Sequence, residues 1–234
     1  MGVKEEVKKE IKKKVTERLF KSMKSRRSIS CIILFIFWLN SFSQDAVSLN
    51  NMGMKYLFGE GVTRNTTEAF RLFERAANMG YVLAENNLGN CYYNGEGVSK
   101  DYSQAAYWYE RAAKKGNATA QCSIGECYYS GNGVSKDYSR AVYWLEKSAN
   151  QGYPRGQFVL SVCYNKGHGV IKDPRRALSL LERSAKQGLP VAQYELGNCY
   201  MHGYGVDTDV ERAHYWWDRA ANQGYEKAKD ALNK

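Results

Sequence analysis

Residues 82–117 read VLAENNLGNCYYNGEGVSKDYSQAAYWYERAAKKGN. Ala84, Leu88, Cys91 and Tyr92 recur at i, i+4, i+7 and i+8, one face of a first helix. Ala105, Trp108, Tyr109 and Ala112 recur at i, i+3, i+4 and i+7, one face of a second. Between the two, Asn94-Gly-Glu-Gly-Val-Ser-Lys-Asp101 places glycine where the backbone takes angles closed to other residues, and Asp101 supplies a carboxylate to cap the second helix. The stretch is a helical hairpin of 36 residues.

Working outward, the same hairpin recurs at a fixed period. Gly59, Gly95, Gly131, Gly167 and Gly203 form one series and Gly61, Gly97, Gly133, Gly169 and Gly205 a second. Val62, Val98, Val134, Val170 and Val206 follow, and Gly80, Gly116, Gly152, Gly188 and Gly224 close the units. Asn65, Asp137, Asp173 and Asp209 repeat the cap of Asp101. The three prolines obey the helix-start rule: Pro174 follows the cap Asp173, and Pro154 and Pro190 open the first helices of units four and five. One hairpin cannot bury its apolar stripe, whereas stacked hairpins bury a continuous one. The expected fold is therefore all-α: an α-solenoid of five 36-residue helix-turn-helix repeats over residues 46–225, closed by a charged C-terminal capping helix at 226–234.

The pattern Ala84-x-Asn-Asn-Leu88-Gly89-x-x-Tyr92-x-x-Gly95-x-Gly97-Val98-x-Lys-Asp101-Tyr-x-x-Ala105-x-x-Trp108-Tyr109-x-x-Ala112-Ala113-x-x-Gly116 closely resembles the Sel-like repeat, a relative of the tetratricopeptide repeat. The resemblance implies a right-handed superhelix whose first helices line the concave side, used in adaptor, exported and quality-control proteins. One branch of that family is secreted and cysteine-rich, with a disulfide in each repeat and described binding or hydrolysis of penicillin-like compounds. This chain departs from it. Cys91, Cys127, Cys163 and Cys199 supply one cysteine to each of units two to five, with Cys122 extra. Equivalent positions of stacked hairpins lie about 10 Å apart, beyond disulfide reach, so these cysteines read as small buried hydrophobes.

Ahead of the repeats, residues 1–22 are a charged extension, and Met23 is an alternative start. Residues 23–43 have the three-part form of a signal peptide: a basic segment through Arg26 and Arg27, an 11-residue apolar run from Ile29 to Leu39, and small residues at Ser41 and Ser43. Cleavage after Ser43 would export a chain beginning at Gln44 to the periplasm, the cell surface or the medium. An uncleaved leader acting as a single membrane anchor, with the repeats outside, stays open as the second reading.

The net charge of +10 does not point to nucleic acid, because residues 1–43 carry +7 of it and the remaining body is nearly neutral. No Ser-x-x-Lys tetrapeptide occurs, so the serine acyl-enzyme arrangement of penicillin-binding proteins is missing. His168 and His202 fall in inner loops and His214 on a second helix, none at metal-ligand spacing, and they read as exposed. Glu85 and Glu126 read as solvated or groove-lining carboxylates rather than catalytic ones. The chain is thus expected to be a non-enzymatic monomer without metal or cofactor, and without a membrane contact other than its leader.

The expected partner is a protein or peptide. On the first helices the series Asn86, Cys122, Phe158, Tyr194, the series Asn90, Glu126, Val162, Asn198 and the series Tyr93, Tyr129, Asn165, Met201 share one face and vary from unit to unit while the framework does not. Asn86, Asn90, Tyr93, Glu126, Tyr129, Phe158, Asn165, Tyr194 and Asn198 are accordingly the candidate partner-binding residues, with the aromatic rings as anchors. The alternative is a small-molecule binder or hydrolase acting on β-lactam or cell-wall-like ligands, as in the cysteine-rich branch.

Overall fold

The structure is a computed structural model that describes residues 45–233. The leader, with its expected cleavage site, lies outside the described residues. Eleven helices and no strand occur among them. The first repeat comprises α1 (45–58) and α2 (Thr66–Asn78), the second α3 (Val82–Asn94) and α4 (Tyr102–Lys114), and the third α5 (Ala118–Ser130) and α6 (Tyr138–Asn150). The fourth comprises α7 (Pro154–Lys166) and α8 (Pro174–Lys186), and the fifth α9 (Pro190–His202) and α10 (Val210–Ala221). The short α11 (Glu226–Leu232) packs on the last repeat. From α2 onward each helix packs on its neighbours in sequence, and α5 also touches α7, so first helices meet across a repeat boundary.

The turns are built as the sequence requires. Asn65, Asp101, Asp137, Asp173 and Asp209 all accept backbone N–H groups at the starts of second helices, at 2.9–3.0 Å. Caps of this kind contribute about 1 kcal/mol each. Pro154, Pro174 and Pro190 occupy the first helical position, where no N–H is needed. Glycine is demanded twice over at Gly133, where φ is +73° and a Cβ would collide with the Tyr102 carbonyl of the preceding repeat.

The core is a ribbon along the helix seams. Ala84, Leu88 and Cys91 from α3 and Ala105, Tyr109 and Ala112 from α4 are buried, while Tyr92 is half-buried and meets Phe70 edge-on at 5.4 Å. The described cysteines are all free; Cys91, Cys122, Cys127 and Cys163 are buried and Cys199 partly so.

A second, polar seam ties the two helices of each repeat together and runs on to the repeat before it. Gln151 Nε2 donates to Gln121 Oε1 at 2.7 Å, Gln187 to Gln157 at 2.8 Å, and Gln223 to Gln193 at 2.7 Å, always 30 residues apart. The inner glutamines donate in turn to the carbonyls of Ala113, Ala149 and Ala185. In the second repeat the corresponding pair is Glu85 and Lys115. This corrects the reading of Glu85 as a solvated or groove-lining acid. It is fully buried, and its Oε1 accepts from both Lys115 Nζ and Arg111 Nε at 2.7 Å. A carboxylate buried this deeply is tolerable only because it is paired.

Candidate peptide-binding groove

The nine candidate residues separate into two groups along the first-helix face. Five lie in repeats two and three. Asn86 is buried, with its Oδ1 unpartnered, instead of solvent-facing. Asn90 accepts from the Tyr109 hydroxyl at 2.8 Å. Tyr93 packs against Tyr102 with ring centroids 5.0 Å apart and accepts from Asn132 Nδ2 of the next loop at 3.1 Å. Tyr129 packs against Tyr138 at 5.2 Å, and its hydroxyl is hydrogen-bonded to His168 Nδ1 at 3.0 Å. Glu126 accepts a forked pair from Arg155 Nε and Nη2, at 2.8–3.1 Å. Four of these side chains are therefore committed to neighbouring elements: Asn90 within its own hairpin, and Tyr93, Glu126 and Tyr129 to the next one.

The other four, Phe158, Asn165, Tyr194 and Asn198, line a single cleft of about 920 Å³ between repeats four and five. Val162, Leu178, Pro174, His202, Tyr204, Lys166, Lys172 and Glu195 are also on its walls. The cleft continues over the α7–α8 loop past Ile171 and Arg175, and on the other side of α9 it adjoins a hollow toward α11 that shares Tyr194, Asn198 and His202.

Departures from the repeat create this opening. The Tyr93–Tyr102 and Tyr129–Tyr138 pairs wall off the equivalent space in repeats two and three. Their counterparts in repeat four are Asn165 and Pro174, and neither carries an aromatic ring. The following loop also stands away. A Cβ at Gly97, Gly133 or Gly169 would strike a backbone carbonyl of the preceding repeat, whereas at Gly205 the nearest atom, the Pro174 oxygen, is 3.6 Å off. The loop carrying Tyr204 is thus looser, and Tyr204 itself is 64% exposed.

Histidine placement differs from the sequence expectation in two respects. His202 is the last residue of α9 rather than a loop residue, and His168, though in a loop, is half-buried and stacked on Tyr138 with centroids 4.4 Å apart. His214 is exposed and bonds to the Val210 oxygen at 2.8 Å. Among the described residues no group of three His, Cys, Asp or Glu side chains is placed to hold a metal ion. Burial raises the thiols of Cys91 and Cys127 to about 12 and those of Cys163 and Cys199 to about 11, so they are protonated and poor nucleophiles at neutral pH. No helix of the described residues is long and apolar enough to cross a membrane.

Comparison with known proteins agrees with this architecture. Among curated proteins none matches the chain. Of solved structures, a Sel1 repeat protein from Oxalobacter formigenes is similar over 81% of this chain and 76% of its own, with 33% identity and a TM-score of 0.75. A protective antigen present in uropathogenic Escherichia coli strains, displaying an SLR fold, shares 32% identity over 78% of this chain with a TM-score of 0.66, and the chain spans 39% of its length. An immunity protein from Pseudomonas aeruginosa, at 21% identity and a TM-score of 0.53 over 81% of this chain and 67% of its own, shares the fold alone. The Sel1 repeat model matches five times in direct succession, at residues 46–81, 82–117, 118–153, 154–189 and 190–225, and the chain belongs to the Sel1 repeat family.

Proposed function

We propose that this protein is a non-enzymatic binding scaffold that receives a peptide or protein segment on its first-helix face, in the cleft between repeats four and five. The cleft carries the reading: it gathers four variable first-helix residues, two of them aromatic, at the junction where the packing of the repeat is relaxed. Its walls combine the apolar Phe158, Val162, Leu178 and Tyr194 with the amides of Asn165 and Asn198, a mixture that buries side chains and hydrogen-bonds a backbone. The leader pattern of residues 23–43 supports export, and amino-terminal sequencing of protein recovered outside the cytoplasm is expected to begin at Gln44.

The test is capture of peptides from a random display library by the immobilised protein. Phe158→Ala combined with Tyr194→Ala is expected to abolish capture. Both rings also contact core clusters, so the melting curve must be recorded beside it. Asn198→Arg fills the cleft from a half-buried position and provides the second variant. A protein whose peptide capture is unchanged by both variants would refute the site, and turnover of a chromogenic β-lactam would refute the non-enzymatic reading.

A further inference from the structure

Repeat four departs from its neighbours in charge as well as in shape. Lys166 stands where repeats one to three have Phe58, Asn94 and Ser130, and Arg175 where they have Thr67, Ser103 and Ser139. Lys172 occupies a position that is basic in the first four repeats, but its surroundings differ. The ammonium groups of Lys100 and Lys136 lie over the rings of Tyr102 and Tyr138, at 5.8 and 6.0 Å from the centroids. Pro174 replaces that ring in repeat four and leaves Lys172 on the cleft wall.

Lys166, Lys172 and Arg175 are exposed and form no ion pair among the described residues. The nearby Arg176, by contrast, is engaged by Glu146 at 3.5 Å and lies over the Tyr164 ring at 4.3 Å. Of the acids, Asp173 is occupied as the α8 cap, and Glu195, which accepts from Asn198 Nδ2 at 3.2 Å, is the one carboxylate on the cleft wall. Lys166 and Lys172 on the cleft wall and Arg175 in the adjoining hollow thus outnumber that carboxylate, and this end of the cleft is cationic.

The other end is apolar, and the two ends stand in a fixed relation. Phe158, Val162 and Lys166 lie at i, i+4 and i+8 on α7, one above another. Eight residues of helix rise about 12 Å, the span of about four residues of extended peptide.

Resting on the reading of the cleft as a peptide groove, we propose that its ligand is an acidic segment. An aromatic or aliphatic side chain of that segment enters between Phe158, Leu178 and Tyr194, and one or two carboxylates about four residues away meet Lys166, Lys172 and Arg175. The cations give charge selection and the apolar end gives most of the affinity, because exposed ion pairs contribute little each.

The experiment is a random dodecapeptide display selection on the intact protein, followed by synthesis of the enriched peptides. The expected result is enrichment of Asp or Glu about four positions from Trp, Phe or Leu. Replacing those acids by Asn or Gln should weaken binding about threefold to tenfold, and added salt should weaken it too. Lys172→Glu with Arg175→Glu, both at exposed positions, should produce a similar loss, and peptides with Lys at the acidic positions should bind this variant better than the parent protein. Enrichment without an acidic bias, yet still sensitive to Asn198→Arg, would overturn the acidic specificity and leave the peptide groove standing. Failure to enrich any sequence would overturn both. Concentration-dependent dimerisation abolished by Asn198→Arg would assign the cleft to a second copy of the chain instead.

Discussion

Lys115 Nζ donates to Glu85 Oε1 at 2.7 Å, in the place where Gln151 Nε2 donates to Gln121 Oε1 at the same distance one repeat later. An ion pair and an amide pair thus perform the same joint. The ion pair carries the larger desolvation cost, since Glu85 is fully buried and its Oε2 has no partner. The double substitution Glu85→Gln with Lys115→Gln should therefore lie within about 1 kcal/mol of the parent. Lys115→Met, which strips one of two cations from the buried carboxylate, should cost about 2 kcal/mol. Urea titrations of the three proteins check this. An equal loss in both variants would show that the joint is not interchangeable.

The architecture was legible in the sequence because its determinants are local. Gly133 reports a left-handed turn and Asp137 a cap within a few residues of themselves, and the 36-residue period multiplies each signal by five. The joints were not legible, because Glu85 and Gln121 find their partners 30 residues away, just past the end of the neighbouring helix, where no local signal reports them. The cleft, as a shape, was half legible. Helical spacing put nine residues on one face, but which of them are free depends on whether a ring is present at positions such as 102, 138 and 174.

Glycines of the same series should differ in their tolerance to substitution. Gly133→Val adds a β-branched side chain at φ +73° against the Tyr102 carbonyl and should destabilise by more than about 3 kcal/mol, whereas the exposed Gln104→Ala should stay within about 0.5 kcal/mol. Gly205→Ala keeps the left-handed strain, about 1–2 kcal/mol, but meets no atom closer than 3.6 Å, so it should be milder than Gly133→Ala. Thermal midpoints that rank Gly205→Ala with Gly133→Ala would contradict the looser seating of the last loop.

The buried thiols set an alkaline limit. Cys91 and Cys127 are raised from 9.0 to about 12 by burial, so the folded state holds these protons more tightly than the unfolded chain. Their contribution is fully present below pH 9.0 and is lost as pH rises toward 12. Stability should fall by about 2 kcal/mol for each of these thiols between about pH 9 and 11, and Cys127→Ala should flatten that fall while lowering stability at neutral pH through the lost packing. A stability curve level to about pH 11 would rule this linkage out.

The cleft should be closable by restoring the repeat. Asn165→Tyr with Pro174→Tyr recreates in repeat four the ring pair that Tyr93 forms with Tyr102 and Tyr129 with Tyr138. Pro174 is only the first residue of α8, where tyrosine serves in α4 and α6, so the helix start should survive with Asp173 still capping it. A tilted aromatic pair adds about 0.5–1.5 kcal/mol beyond its buried area, so the variant should melt at or above the parent temperature. The same rings would fill the wall that Lys172 now occupies, and the lysine would settle over the ring introduced at position 174 as Lys100 does over Tyr102. Peptide capture should then be lost from a protein that has gained stability, a combination no general unfolding can produce. If the filled variant binds as the parent does, the opening between repeats four and five is not where the ligand lies; if it melts earlier, the two missing rings are not what holds the cleft open.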